Sequence, residues 1–246
     1  MSLIPAMYDN ISVIIPTYNE RESISDIIST VFKEVSRLEE IIVVDDDSPD
    51  MTWQLVKELG KGNGKIRLIR RQGKRGLPVA IWEGILNSKG KRVLWLDADF
   101  FSLPHTLTEL STKADGYDIV VASRYVKGAR DSRVEKARVI TSRIFNQLAR
   151  FILSSRTQDL TSGYIIARKE IFNNLNLKGI YGEYCVRFLY EAERNNLKIK
   201  EVPYVCLSRQ KGRSKTYGNP LIFIKHCLIY LFTVFQLRFS KNGAQS

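Results

Sequence analysis

Short, nearly unbroken runs of β-branched residues alternate with longer stretches of helical period along the first half of the chain. Residues 11–16, 41–45, 66–70, 93–97 and 119–123 are strand candidates, and apolar runs among them such as IIVV and VLWL show little alternation, the pattern of strands covered by helices on both faces. Residues 21–35, 52–59, 79–87 and 103–113 repeat apolar positions at helical spacing. The pattern therefore predicts βαβ units building an α/β fold, Rossmann-like, with a mostly parallel central sheet flanked by helices. In the second half it predicts a basic helix over 134–153, a strand near 164–167, a helix over 183–195, a strand over 198–203 and a Gly- and Lys/Arg-rich loop over 209–218. Open sheets of this kind bind ligands beyond the carboxyl ends of their strands. Three predicted strands end in polar motifs, Pro16-Thr-Tyr-Asn-Glu20, Asp45-Asp-Asp-Ser-Pro-Asp50 and Asp97-Ala98-Asp99, which should meet along one rim.

Residues 220–239 are apolar over most of the helical circumference, with a narrow polar stripe of Lys225, His226, Thr233 and Gln236. Between Lys225 and Arg238 the uncharged stretch is about 18 Å long at ~1.5 Å per residue, against a hydrocarbon core of about 30 Å. It reads as too short for a convincing span and as an interfacial amphipathic helix or helix-hairpin element that docks on a membrane surface, with its basic ends at headgroup level. Periodicity alone equally allows an ordinary core helix.

Composition narrows the chemistry. The chain has 246 residues, 44% hydrophobic and 26% charged, enough to bury one large core without staples. Three cysteines without CxxC spacing and two histidines point away from disulfide or zinc frameworks. The first ten residues are too short and polar to read as a signal peptide, so the catalytic body is expected in the cytosol. The net charge of +12 is concentrated in the second half. Nine Lys/Arg between Arg124 and Arg156 face only Asp131 and Glu135, and no acid follows Glu201. Such focusing suggests an anionic partner, although a solvated basic face gives the same count.

Asp97 and Asp99, two residues apart at a strand end, can share one hard divalent cation, Mg²⁺ or Mn²⁺, with phosphate oxygens. Asp45, Asp46 and Asp47 repel one another, and a helix cap, supplied by Ser48 or Asp50, needs only one of them. A donor-rich ligand such as a base or ribose would account for the rest.

Taken in order, the motifs Val13-Ile-Ile-Pro-Thr-Tyr-Asn-Glu20, Val43-Val-Asp-Asp-Asp-Ser-Pro-Asp50, Gly76-Leu-Pro-Val-Ala80 with Gly84, Leu96-Asp-Ala-Asp99, Ser123-Arg-Tyr-Val-Lys-Gly128, Asp159-Leu-Thr-Ser-Gly-Tyr164, Glu201-Val-Pro203 and Arg209-Gln-Lys-Gly-Arg-Ser-Lys215 resemble a family 2 glycosyltransferase of the GT-A fold. The resemblance is closest to the dolichyl-phosphate mannose synthase and polyprenyl-phosphate glycosyltransferase group. It covers about residues 11–218.

The resemblance implies a nucleotide-sugar-binding half over 11–123 and an acceptor half over 124–218; the apolar pattern adds a membrane-interface helix and tail over 219–246. Pro16, Tyr18, Glu20, Asp45 and Asp47 would hold the nucleoside. Asp97, Ala98 and Asp99 would meet the donor, with Asp97 and Asp99 as metal ligands. Arg209 and Lys215 would close over the diphosphate, and Arg124, Arg138 and Ser142 would contact the acceptor phosphate. Phe101 stands where the group often has a polar residue, and Leu160 where it usually has Pro.

The implied reaction moves a sugar, mannose from GDP-mannose in the first reading, to a polyprenyl (dolichyl) monophosphate with inversion, at the cytoplasmic face of a membrane. A phosphate acceptor is already ionised near neutral pH and needs no strong base. A UDP-sugar donor or a glycan hydroxyl acceptor is the alternative, and Glu183 is then the candidate base, although a Glu at a helix N-terminus also suits the dipole. A nucleotidyltransferase would carry a Gly-rich phosphate loop after the first strand, where Pro16 to Glu20 stand here. Nucleic acid is not an expected partner, because an acidic rim repels it and no recognition motif is present.

Overall fold

The computed structural model describes residues 9–73, 75–97, 105–208 and 220–239. Two apolar layers sandwich one twisted sheet. The elements run β1 (Ile11–Thr17), α1 (Ile24–Glu34), β2 (Leu38–Asp45), α2 (Thr52–Lys61), β3 (Ile66–Arg70), α3 (Leu77–Leu86), β4 (Arg92–Trp95), α4 (His105–Lys113), β5 (Ile119–Ser123), β6 (Arg130–Asp131), α5 (Lys136–Leu153), β7 (Ile165–Arg168), α6 (Tyr184–Arg194), β8 (Ile199–Pro203), β9 (Val205–Cys206) and α7 (Pro220–Phe239). Seven strands form the sheet in the order β3-β2-β1-β4-β7-β5-β8. Only β7 runs antiparallel to its neighbours. The two-residue strands β6 and β9 pair separately.

The apolar runs are unbroken because each strand feeds both layers. Val13, Ile15, Ile41 and Val43 point to the side of α1, α2 and α4, while Ile14, Ile42 and Val44 point to the side of α3, α5 and α6. This explains why the run 41–45 shows no polar alternation. Gly84 lets α3 lie close on the sheet, since a Cβ there would stand 2.5 Å from Ile14 Cγ2.

The antiparallel β7 decides where the second half of the chain meets the first. After α5 the chain returns to the rim at which β4 and β5 end, so the loop from Asp159 to Gly163 enters the sheet beside Asp97 and Arg124. The sequence pattern located this strand but not its direction. It missed the β6 and β9 pair and the 3₁₀ turn Lys169–Asn173, which are too short to show a period.

Two expectations are corrected. The strand expected over 93–97 ends at Trp95, so Leu96 and Asp97 leave the sheet at the rim. Neither Ser48 nor Asp50 occupies the N-cap position of α2, which is Met51 at φ 63°. Asp50 does the capping from one residue further back: its Oδ1 accepts the Thr52 N–H at 3.0 Å and the Thr52 hydroxyl at 2.6 Å.

Within α7, residues Ile222–Phe239 form a window long and apolar enough to cross a membrane by length and composition, so shortness alone does not exclude a span. The helix instead lies along α5 and α6, with Thr233, Val234 and Leu237 buried. Its opposite side, Leu228, Phe232 and Phe239, is exposed. It is therefore neither a fully buried core helix nor a detached one.

Candidate active site

Parallel strands β1, β2 and β4 are neighbours, so their polar ends share one edge. The loops there are tied together: Asn19 N–H donates to Ser48 Oγ, and Glu20 N–H to Thr52 Oγ1, each at 3.0 Å. Asn19, Asp47 and Met51 adopt left-handed backbone, a concentration of strain that suits a functional rim.

The three consecutive acids have three different environments. Asp45 is fully buried. Its Oδ1 accepts the Ser48 N–H at 2.8 Å, and its Oδ2 accepts the hydroxyls of Ser48 at 2.7 Å and Thr17 at 2.8 Å. Asp46, which sequence reasoning gave no role, accepts the Gly76 N–H at 2.9 Å and pairs with Arg71. Burial raises its pKa above the usual carboxylate range against those bonds. Asp47 is partly exposed, bonded to Arg70, whose guanidinium lies 3.7 Å from the centre of the Trp53 ring. The expectation that uncompensated acids here await a ligand is thus corrected, because protein donors already meet each one. Asp45 braces the loop, and Asp47 is the one of the three with an open side.

Tyr18 lies half-buried beneath Arg75, which donates to its hydroxyl and stands 4.2 Å from its ring centre. Pro16 is buried in β1. Glu20 is buried, its carboxylate accepting the Ser23 hydroxyl at 3.3 Å. Ala98, Asp99, Phe101, Arg209 and Lys215 lie outside the described residues.

Asp97 is half-exposed at the end of β4. Gly163 packs against it so closely that a Cβ there would stand 2.9 Å from Asp97 Oδ2. Gly163→Ala should therefore push the carboxylate aside and lower turnover by about tenfold or more, with unfolding temperature almost unchanged. Steady-state rates alongside thermal unfolding check this, and wild-type turnover would refute it.

Beside this rim lies a pocket of about 410 Å³. Arg124, Arg138 and Ser142 line it together, and so do Arg133 and Thr161, which were not singled out. Phe145, Leu148 and Leu231 supply an apolar wall. Arg124 is buried and fixed by Asp159, which receives Nε at 2.8 Å and Nη2 at 2.7 Å. Burial works against its charge, but Asp159 outweighs this and raises its pKa well above the ordinary arginine value. Nη2 also donates to Thr161 Oγ1 at 2.6 Å. Ser142 shares a 2.9 Å hydrogen bond with the Tyr125 hydroxyl.

Asn146 organises the adjoining loop. Its Nδ2 donates to Ser142 O at 2.8 Å and Thr161 Oγ1 at 2.9 Å, and its Oδ1 accepts the Leu160 N–H at 2.8 Å. Proline at 160 could not make that last bond, so Leu160 has a physical reason here. Arg133 was visible only as one of nine cations in the basic run. Its role in the pocket depends on its pairing with Asp131 at 2.6 Å.

Glu183 is not placed as a base. It is buried, and its two oxygens accept the backbone N–H groups of Ile180 at 2.6 Å and Tyr181 at 2.9 Å. It holds the turn that opens α6, the plainer of the two readings its position allowed.

A sheet covered by helices on both faces thus carries strand-end acids on one rim, beside a pocket that is both cationic and apolar. Residues 12–175 match the model for glycosyl transferase family 2, and the chain belongs to that family. It is 33% identical over 221 residues to a dolichol-phosphate mannosyltransferase of Pyrococcus furiosus, a match covering 88% of this chain and 62% of that protein. It is also 33% identical over 215 residues to a polyprenol monophosphomannose synthase of Mycolicibacterium smegmatis, covering 84% and 81% respectively. The fold resembles, with a TM-score of 0.70 and 18% identity, crystal structures of glucosyl-3-phosphoglycerate synthase from Mycobacterium tuberculosis. One holds Mn²⁺, uridine diphosphate and glucosyl-3-phosphoglycerate and the match covers 96% of this chain and 82% of that one. Another holds Mg²⁺ and uridine diphosphate, with 96% and 81% covered. These likenesses identify the GT-A fold.

Proposed function

We propose that this protein transfers a sugar, mannose from GDP-mannose in the first instance, to the phosphate of a membrane-held polyprenol such as dolichol. The observation that carries this reading is the make-up of the 410 Å³ pocket. Three arginines stand at its polar end, aromatic and aliphatic side chains form its wall, and none of the described residues lining it is a carboxylate. A hydroxyl acceptor needs a base to take its proton. A phosphate, with a second pKa near 6, needs only cations to hold it and an apolar path for its chain. The names of the two relatives point the same way.

In this reading the half over 11–123 holds the donor, with Tyr18, Glu20 and Asp47 toward the nucleoside and Asp45 behind them as a brace. Asp97 and Asp99 fit a divalent cation: both are hard oxygen donors, and Gly163 leaves Asp97 Oδ2 room at the crevice. Bound there, the cation would supply charge neutralisation for the departing diphosphate, and Arg209 and Lys215 would add to it. Arg124, Arg133 and Arg138 orient the acceptor phosphate for attack on the anomeric carbon from the side opposite the leaving group. Thr161 and Gly163, two residues apart, span at most about 7 Å of chain. One loop thus sets the acceptor pocket against the carboxylate of the donor site.

Attachment to the membrane is supported by an apolar band on α5 and α7. Ile140, Ile144 and Phe151 on α5 are exposed, Phe151 by 85%, as is Phe232 on α7 by 69%. Contiguous apolar surface of this kind marks an interaction site. α7 lies along the domain at this surface, a monotopic arrangement with the pocket opening between α5 and α7.

Arg138 tests the acceptor assignment, since it lines the pocket and none of the bonds that fix Arg124 involve it. Arg138→Ala should raise KM for a polyprenyl phosphate by about tenfold, and KM for the nucleotide sugar by much less. Equal changes in both constants would refute the assignment.

A further inference from the structure

Across α7 from the arginine pocket lies a second groove of about 800 Å³, between the opening turn of α6 and the outward side of α7. Lys178, Arg187 and Lys225 stand around it, the two lysines exposed. Arg187 is held by Gln236, to which Nη2 donates at 2.8 Å. Its Nε is buried without a hydrogen-bond partner among the described residues. The one acid lining the groove, Glu183, is engaged by two backbone N–H groups. Glu191, one turn further along α6, is half-buried and within the field of Arg187 and Lys178. The proposed transfer uses none of the three cations.

The remaining wall is apolar. Leu228 and Phe232 are exposed by 61% and 69%, and Ile180, on the loop before α6, by 77%. The cations therefore edge the same band that the previous reading sets on the membrane, at the depth where lysine and arginine stems lie along apolar surface and their heads reach the headgroups.

We propose that this groove holds the phosphodiester headgroup of an anionic membrane lipid, its acyl chains continuing along Leu228 and Phe232. The proposal rests on the membrane reading and adds a site to it. Free phosphate would meet the same cations but would leave the apolar wall exposed to water. A lipid satisfies both halves of the groove at once. One consequence is orientation: a headgroup at Lys178 and Lys225 pins one flank of α7, while the acceptor enters from the other.

The test is flotation of the full chain with phosphatidylcholine vesicles, with and without phosphatidylglycerol. The wild type should bind both and prefer the second. The variant K178Q/R187Q/K225Q should lose that preference by on the order of tenfold or more, with binding to phosphatidylcholine unchanged. A control that removes three exposed lysines elsewhere, K33Q/K57Q/K113Q, should keep the preference. Equal loss in both triple variants would show a diffuse basic surface and overturn the site. A wild type that binds both vesicles equally would overturn the site and leave the membrane reading standing. A wild type that binds neither would overturn both. Glycerol phosphate added in solution should not displace the protein from the doped vesicles. Full displacement would identify a free-phosphate site and overturn the lipid assignment.

Discussion

Replacing Asp97 with Asn should lower sugar transfer by on the order of 10³-fold and shift the unfolding temperature by no more than a few degrees. The side chain leaves the sheet after Trp95 and is half-exposed, so an isosteric amide keeps its packing. What the amide removes is the negative charge. The expected loss is large because, in the proposed function, the oxygens of Asp97 act where charge builds up on the departing diphosphate. Asp99→Ala should behave in the same way, and EDTA should silence the wild type, with recovery on adding Mg²⁺ or Mn²⁺. Rates measured with and without chelator, together with calorimetric titration of the nucleoside diphosphate, separate lost chemistry from lost binding. Transfer that persists in Asp97→Asn, or that ignores EDTA, would remove the carboxylates from the donor site.

Asp159→Ala should unfold far more readily than the wild type, costing about 3–5 kcal/mol, roughly 10 °C in a chain of this size. It should also abolish use of the lipid phosphate. The carboxylate is fully buried and holds more than its partner's guanidinium. It accepts the backbone N–H groups of Arg124 at 3.0 Å and Thr161 at 3.2 Å. Removing it leaves a buried cation that cannot lose its proton and two amides without an acceptor.

Arg124→Met should cost less stability, because the remaining carboxyl group keeps both amides and can itself take a proton. It should be just as unable to use the acceptor. A simple surface ligand would show the opposite, losing activity with no change in stability. Urea unfolding of both variants, set beside initial rates over a range of acceptor concentrations, distinguishes the cases. Native-like unfolding of Asp159→Ala would show that the pair does not hold the pocket. Arg124 is therefore a poor probe of binding alone, and Arg138 is the cleaner one.

Much of the molecule was legible in the order of its residues because the signals are local. Unbroken apolar runs gave away strands covered on both sides, and helical spacing marked the helices to within a few residues. The polar motifs at the ends of β1, β2 and β4 were visible as strand ends, and parallel neighbouring strands necessarily put such ends on one rim. The excess of cations between Arg124 and Arg156 marked the side of the molecule on which three arginines line one pocket.

Three things were beyond that reading, each fixed by contacts between residues far apart in the chain. The triple acid looked uncompensated because Arg70, Arg71 and Gly76 approach it only once β3 and α3 are packed beside β2. The resemblance singled out Arg124 as a phosphate contact, but nothing near it in the chain showed that Asp159, 35 residues away, takes it out of water. Gly163 carried no visible role until the reversed direction of β7 brought it against Asp97. Sequence alone thus determined the elements, the shared rim and the sign of the charge on each side, since these depend on local pattern and composition. Tertiary structure decided which charges are already neutralised and which face a cavity, because burial and pairing arise only when distant segments exclude water together.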